Sequence, residues 1–323
     1  MSAPALRPAL SPWGLPEPDS VRSPERGSNN ITHLLEVGRR PYVLRVYQNL
    51  DADRVAAEHR LLAALAGQDL GFAVPSPLPT MDGCTWVDTE EGVAALFAYL
   101  PGRMAYRDNP TELELIGQAL GDLDLALARL PLDLAPIDWR RPLHAIHPAV
   151  PDLHALIADL LQAMPGYAGA LWLAEVVEKT AGEQERLWAS LPVQIIHGDM
   201  AASNVLVEDG RVSAVLDFEI AGADLRVTDL VGAILQCTDG WWEPGGTEQA
   251  EIFLRGYHSR LRLTPEEYAA FPTVLRLRAM GSAIWRAGRW KRGQSTLHDV
   301  RLRLQEGQRL EQWLTHHESD LPR

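Results

Sequence analysis

Between Ile195 and Asp217 the chain alternates three short apolar runs with two polar turns, and this order constrains its fold more than any other feature. Ile195-Ile196 closes one run, and His197-Gly198-Asp199-Met200-Ala201-Ala202-Ser203-Asn204 forms a polar loop. Val205-Leu206-Val207 makes a second run, Asp209-Gly210 a turn, and Val215-Leu216 a third run that ends on Asp217. Short β-branched runs bounded by Gly and Asp read as strands, and Asp-Gly between two of them reads as a hairpin turn. Strand ends paired in this way are expected to bring Asp199, Asn204 and Asp217 together. Their side chains carry oxygen donors, which suit a hard cation such as Mg2+.

Composition narrows the remaining possibilities. The chain has 323 residues, 46% of them apolar, enough for a substantial core in one large or two moderate domains. A net charge of −13 argues against general binding to nucleic-acid phosphates, although a local pocket can still attract an anion. Cys84 and Cys237 are the two cysteines, far apart, and resemble neither a disulfide framework nor a zinc cluster. No apolar run approaches the ~20 residues needed to cross a bilayer, and the N-terminus lacks the basic-then-apolar order of a secretion signal. A cytoplasmic protein with no nucleic-acid or membrane partner is expected.

Residues 1–26 carry six prolines, from Pro4 to Pro24, and read as a partly extended arm. Trp13 and Leu15 are its candidate anchors, docking near a cleft. Residues 27–97 then read as a small lobe. Ile31–Val37 and Tyr42–Tyr47 form a hairpin about a Gly38-Arg39-Arg40 turn, Asp51–Leu65 a helix, and short strands follow near Thr85–Val87 and Val93–Phe97. Ala98-Tyr99-Leu100-Pro101-Gly102 is a candidate hinge, after which residues 103–323 are mainly helical. Helices are expected at Thr111–Leu130, with a capping box from Thr111 to Glu114, and at Pro151–Met164, Leu171–Ala189, Glu248–Arg260, Pro265–Ala287 and Leu297–His317. The fold class expected is α+β, with a β-rich lobe before a larger helical one.

The set His197-Gly198-Asp199 followed by Asn204, then Asp217, resembles the signature of the aminoglycoside phosphotransferase superfamily, which includes choline and homoserine kinases. The five-residue spacing of Asp199 and Asn204 is also that of the catalytic Asp and metal-binding Asn of protein kinases. The resemblance extends from about Gly27 to the last helices. It implies a two-lobed protein-kinase-like fold and Mg2+-dependent transfer from ATP. Asp199 would orient an acceptor hydroxyl, His197 would support the loop, and Asn204 and Asp217 would bind metal. Asp229, in Thr228-Asp229-Leu230, matches the buried acid that braces the catalytic loop.

In the first lobe, Ser28 and Asn29 precede a strand where small or amide residues can approach phosphates, though a plain turn explains them nearly as well. A Walker A loop is absent, which disfavours the P-loop class. Arg45 stands where kinase-like folds often place a phosphate-contacting lysine, and Glu58 on the next helix is its expected partner. Arginine binds phosphate well, but its planar fork is not equivalent to an ammonium. Phe97 and Tyr99 flank the candidate hinge and, by analogy of fold, an adenine.

The acceptor is the open part of this reading. Val74–Gly83, Phe97–Gly102 and Arg278–Arg286 are similar to segments of type II homoserine kinases, favouring a small hydroxylated amino acid or amino alcohol. Trp241 and Trp242 are candidates for an aromatic wall against an ammonium group, with core packing as the commoner explanation. Arg278 and Arg286 are candidates for a substrate carboxylate, or alternatively for a solvated basic face. An aminoglycoside phosphotransferase and a catalytically weak nucleotide-binding regulator are the alternatives, with the chain acting as monomer or homodimer and using ATP or GTP.

Overall fold

The computed structural model describes residues 10–23, 30–240, 242–318 and 321. The alternation of residues along the first strands decides what the smaller lobe can do. Five antiparallel strands, β1 (Ser20–Arg22), β2 (Ile31–Val37), β3 (Arg40–Tyr47), β4 (Val87–Thr89) and β5 (Gly92–Ala98), lie in the order β1-β2-β3-β5-β4. Successive side chains of a strand point to opposite faces. Leu44 and Val46 therefore share one face with Ala94 and Leu96, while Arg45 and Tyr47 share the other with Ala95 and Phe97. Helix α1 (Ala52–Ala66), capped by Asp51 accepting from Arg54 N–H, packs Val55, Leu61, Leu62 and Leu65 into the Tyr47 and Phe97 core.

The N-terminal arm covers the opposite face. Leu10 and Trp13 are buried against Leu35, Leu44, Val46, Ala94 and Leu96, and Trp13 Nε1 donates to Leu78 O at 2.9 Å. The arm thus docks, but on the outer face of the sheet rather than at a cleft, because the free apolar face of β3 and β5 lies there. Its β1 adds an edge strand to β2, a position that leaves the neighbouring prolines outside the ladder.

The larger lobe is built from helices around short hairpins. Strands β6 (Arg103–Met104), β8 (Val205–Glu208) and β9 (Arg211–Val215) form one sheet, and β7 (Val193–Ile196) pairs with β10 (Gly222–Leu225). The helices are α2 (Pro110–Leu127), α3 (Leu153–Ala163), α4 (Ala168–Lys179), α5 (Glu183–Ser190), α6 (Arg226–Cys237), α7 (Gly246–His258), α8 (Pro265–Ala269), α9 (Phe271–Lys291) and α10 (Leu297–His317). Helices α2 and α7 meet backbone to backbone. A Cβ added at Gly256 would stand 2.0 Å from Glu114 O, so only glycine admits this approach. A second core joins α3, α4, α9 and α10 through Leu156, Trp172, Ile284 and Leu304.

Several boundaries differ from the sequence reading. Asn109, not Thr111, caps α2, accepting from Thr111 and Glu112 N–H. The helix expected over Leu171–Ala189 divides into α4 and α5 at Gly182, whose φ of +73° does not belong to a helix. The helix expected from Pro265 divides at Ala270, just ahead of Pro272, which has no N–H to continue the ladder of α8. Among the described residues no helix is long and apolar enough to cross a membrane, and both cysteines are free thiols.

Candidate active site

The loop from His197 to Asn204 leaves β7 and returns as β8, and buried bonds fix its course. Asp229, one turn into α6 and 1% exposed, accepts from His197 N–H at 2.6 Å and Gly198 N–H at 2.8 Å. Gly198 holds φ +80°, a conformation glycine adopts without steric cost. The fully buried His197 ring uses both nitrogens. Nδ1 accepts from Asp199 N–H at 3.1 Å, which leaves Nε2 to donate to Leu216 O at 3.0 Å. With Nδ1 occupied as an acceptor and Nε2 as a donor, the ring ties the loop to the strand end that carries Asp217. It has no nitrogen left to take a substrate proton.

Asn204 closes the loop from the other end. Its Nδ2 donates to Asp199 O at 2.9 Å and Asp199 Oδ2 at 3.1 Å. Its backbone carbonyl accepts from Leu216 N–H at 2.7 Å, one residue before Asp217. Asp199, Asn204 and Asp217 are therefore brought together, as the strand order predicts. Asp217 itself has φ +66°, uncommon for a residue with a side chain and found where structure over-determines the backbone. Burial pushes the Asp199 carboxyl above its usual range and Asp217 adds to this, while His197, Gln236 and Asn204 oppose the shift.

The donor set fits a hard divalent cation. Asn204 spends its amide N–H groups on Asp199, so its Oδ1 is the acceptor left for a metal, and Asp217 offers a carboxylate on the adjoining strand end. Among the described residues no group of three His, Cys, Asp or Glu forms a complete cage. Such a pair suits Mg2+, which keeps waters and takes its remaining ligands from phosphates.

Across the cleft, Arg45 Nη2 donates to Asp217 Oδ1 at 2.9 Å, while its Nη1 stands 3.7 Å from Glu58 Oε1. The arginine is thus nearer the acid of the other lobe than its expected partner on α1. Burial raises the Glu58 carboxyl to about 7 even though Arg45 pulls it down. Asn30, at the start of β2, donates to Glu219 Oε2 at 2.6 Å and adds a second link between the lobes.

The other expected site residues are dispersed. Ser28, Asn29 and Trp241 lie outside the described residues. Phe97 is buried in the core, edge-on to His59 at 5.7 Å, and Tyr99 is exposed just beyond β5. Trp242 is half-buried and packs over Gly240. Arg278 reaches the loop itself, its Nη2 on Gly198 O at 3.1 Å. Arg286 lies eight residues on, about 12 Å along the helix axis, where its charge bears on Asp299.

One supporting layer escaped the sequence reading. Fully buried Asp124 accepts from Tyr257 Oη at 2.8 Å and from Gln194 Nε2 at 3.3 Å, beneath β7. The available signal was an acid beside Leu123 within the apolar face of α2, a pattern that a solvated charge shares.

With this geometry in hand, comparisons with known proteins have definite content. A family model described as a phosphotransferase enzyme family matches residues 20–271. An uncharacterized protein of Deinococcus radiodurans is 31% identical, covering 89% of this chain and 85% of that protein. A homoserine kinase of Caulobacter vibrioides is 28% identical, with 87% and 85% covered. Among solved structures, a microcompartment-associated aminopropanol kinase superposes with a TM-score of 0.67 at 19% identity, covering 97% of each chain. Amicoumacin kinase in complex with AMP-PNP gives 0.70 at 14%, covering 96% of this chain and 93% of its own. These structural likenesses establish the fold as the two-lobed, protein-kinase-like one that the sequence reading expected.

Proposed function

Because the chain belongs to the phosphotransferase enzyme family, we propose that it transfers the γ-phosphoryl group of ATP to the hydroxyl of a small amino acid or amino alcohol, with homoserine the leading candidate. The observation that carries the reaction type is the convergence of Asp199, Asn204 and Asp217 at two strand ends joined by the Leu216–Asn204 backbone bond. Support for the acceptor class comes from relatives: the homoserine kinase of Caulobacter vibrioides aligns along 85% of its length.

Phosphoryl transfer asks a protein mainly for positioning and charge stabilisation. Asp199 would accept a hydrogen bond from the acceptor hydroxyl and aim its oxygen at the γ-phosphorus. A new O–P bond forms as the bond from that phosphorus to the β–γ bridging oxygen breaks, and ADP leaves with that oxygen. The hydroxyl proton passes late to the Asp199 carboxylate, whose buried position makes it a better proton acceptor than an exposed one. Asn204 and Asp217 would hold Mg2+, which when bound neutralises charge on the β- and γ-phosphate oxygens. Arg45 would turn from Asp217 toward the phosphates, with Glu58 behind it.

The test is a screen of the purified protein with Mg2+–ATP against homoserine, amino alcohols including choline, and aminoglycosides, followed by phosphorus NMR. ADP matched by a phosphorylated homoserine or amino alcohol is expected. Turnover confined to aminoglycosides would replace the acceptor, and ATP binding without acceptor-dependent turnover would replace the activity by nucleotide sensing.

A further inference from the structure

The peptide unit that leads into Asp199 is gripped at both ends. Its N–H donates to His197 Nδ1 at 3.1 Å, and its carbonyl, Gly198 O, accepts from Arg278 Nη2 at 3.1 Å. The preceding N–H, on Gly198, is held by Asp229. Arg278 comes from α9, eighty residues away in sequence, so its contact is not part of the local turn. A second feature explains how it reaches the loop. The guanidinium lies against Gly232, three residues after Asp229 and on the same face of α6. A Cβ at Gly232 would stand 3.3 Å from Arg278 Nη2, a few tenths of an ångström tighter than ordinary contact, and 3.5 Å from Cζ and Nε, at ordinary contact. Helix α6 thus supplies a carboxylate to one side of the loop and leaves a gap, one turn later, that the guanidinium fills.

We propose that Arg278 is a positioning residue for Asp199, and that Gly232 is the vacancy that lets it act. The proposal rests on the assignment of Asp199 above. Gly198 has the softest backbone in the loop, since it lacks a Cβ. Without the bond to its carbonyl, the 198–199 peptide plane is held at one end alone, through the Asp199 N–H on His197 Nδ1, and it can tilt about that bond and carry the Asp199 carboxylate with it. Misplacement of a reacting group by about 1 Å can cost on the order of 10²-fold in rate. An arginine suits the task because its fork is planar and always charged, and because its charge lies beside the buried acids Asp224 and Asp229.

The experiment uses the full chain with Arg278→Ala, Arg278→Lys and Gly232→Ala. ADP release is followed from Mg2+–ATP with L-homoserine and, in parallel, with water as the sole acceptor. Amide hydrogen exchange is followed in the segment 195–204. Arg278→Ala is expected to lower kcat by roughly 10–100-fold in both reactions while KM stays within about threefold, and to speed exchange in that segment but not in β2 and β3. Added guanidinium should restore part of the lost kcat, and Arg278→Lys should fall between. Gly232→Ala keeps the arginine and suits a helix, so it carries the test if Arg278→Ala does not fold; a several-fold loss of kcat with faster loop exchange is expected.

Unchanged loop exchange in both variants would overturn the proposal. So would a raised homoserine KM with kcat intact, which would make Arg278 a substrate contact instead. Asp199→Asn is assayed alongside. Wild-type turnover in that variant would sink the reading of Asp199 itself, and with it the purpose assigned to Arg278, whatever the exchange shows.

Discussion

The two sides of the cleft are finished to different degrees. On the larger lobe, the loop from His197 to Asn204 is held by Asp229, the His197 ring, Leu216 O and Arg278, each making a bond of ordinary length. Facing it, the guanidinium of Arg45 on the smaller lobe is acted on by Asp217 and Glu219 of the larger lobe and by Glu58 of its own. Arg45 leans toward Asp217 and away from Glu58. The first side is complete within the protein. The second has an excess of negative charge of the kind that cations and a counter-balancing ligand relieve. The difference teaches where the two sides should be vulnerable: the loop to loss of geometry, the charged side to pH, metal and nucleotide.

The largest expected effect lies on the completed side. Asp199→Asn keeps the shape of the side chain but removes the proton acceptor, and turnover should fall by about 10²–10⁴-fold with ATP affinity little changed. Steady-state kinetics and calorimetry measure the two quantities separately. Equal losses in both would erase the distinction between the sides.

Next comes Asp229→Ala, which orphans two buried N–H groups at about 1–3 kcal/mol each. Urea unfolding should register this loss, and turnover should fall with it. A variant as stable as the parent would show that the loop does not depend on its brace.

On the charged side, Arg45→Met should weaken ATP binding by roughly 10–100-fold, in line with loss of a hydrogen bond to a charged group. Calorimetry at several Mg2+ concentrations should show kcat-independent weakening, the reverse of the Asp199→Asn pattern.

Glu58 sharpens the comparison through pH. Its carboxyl is raised from 4.5 to about 7 in the folded protein, chiefly by burial. The folded state therefore binds the proton more tightly than the unfolded one, and this stabilising contribution is full below 4.5 and lost as pH rises through about 7. Glu58→Gln should flatten the fall in Tm between those values. An unchanged slope would mean that Glu58 is ionised throughout.

The smallest effect is expected from Asn30→Ala, which removes one link to Glu219 across the cleft. About 0.5–1.5 kcal/mol is at stake, or a two- to tenfold rise in KM for ATP with kcat preserved.

How much of this was legible in the sequence follows from the range of the interactions. The hairpins around Asp199, Asn204 and Asp217 were legible because their spacing is local and their turns carry Gly and Asp. Arg45 and Glu58 were named as partners through the resemblance to kinase-like folds, and the two side chains stand 3.7 Å apart. The contact of Arg45 with Asp217 spans 172 residues and left no local trace. The same holds for Arg278 on Gly198 and for the layer under β7 formed by Asp124, Gln194 and Tyr257. Breaks in helices were missed where one residue decided them, as Gly182 does between α4 and α5. Within the described part of the arm, residues 10–23, Ser11–Trp13 forms a 3-10 turn, and the apolar face that receives Trp13 exists only once β3 and β5 are paired.

The central claim is best tested by a crystal structure with Mg2+, a non-hydrolysable ATP analogue and the acceptor identified by the screen. The account predicts Asn204 and Asp217 oxygens at about 2.0–2.1 Å from a metal on the triphosphate, with the Asp199 carboxylate hydrogen-bonded to the acceptor hydroxyl. A triphosphate seated away from Asp217, or an acceptor hydroxyl out of reach of Asp199, would contradict it.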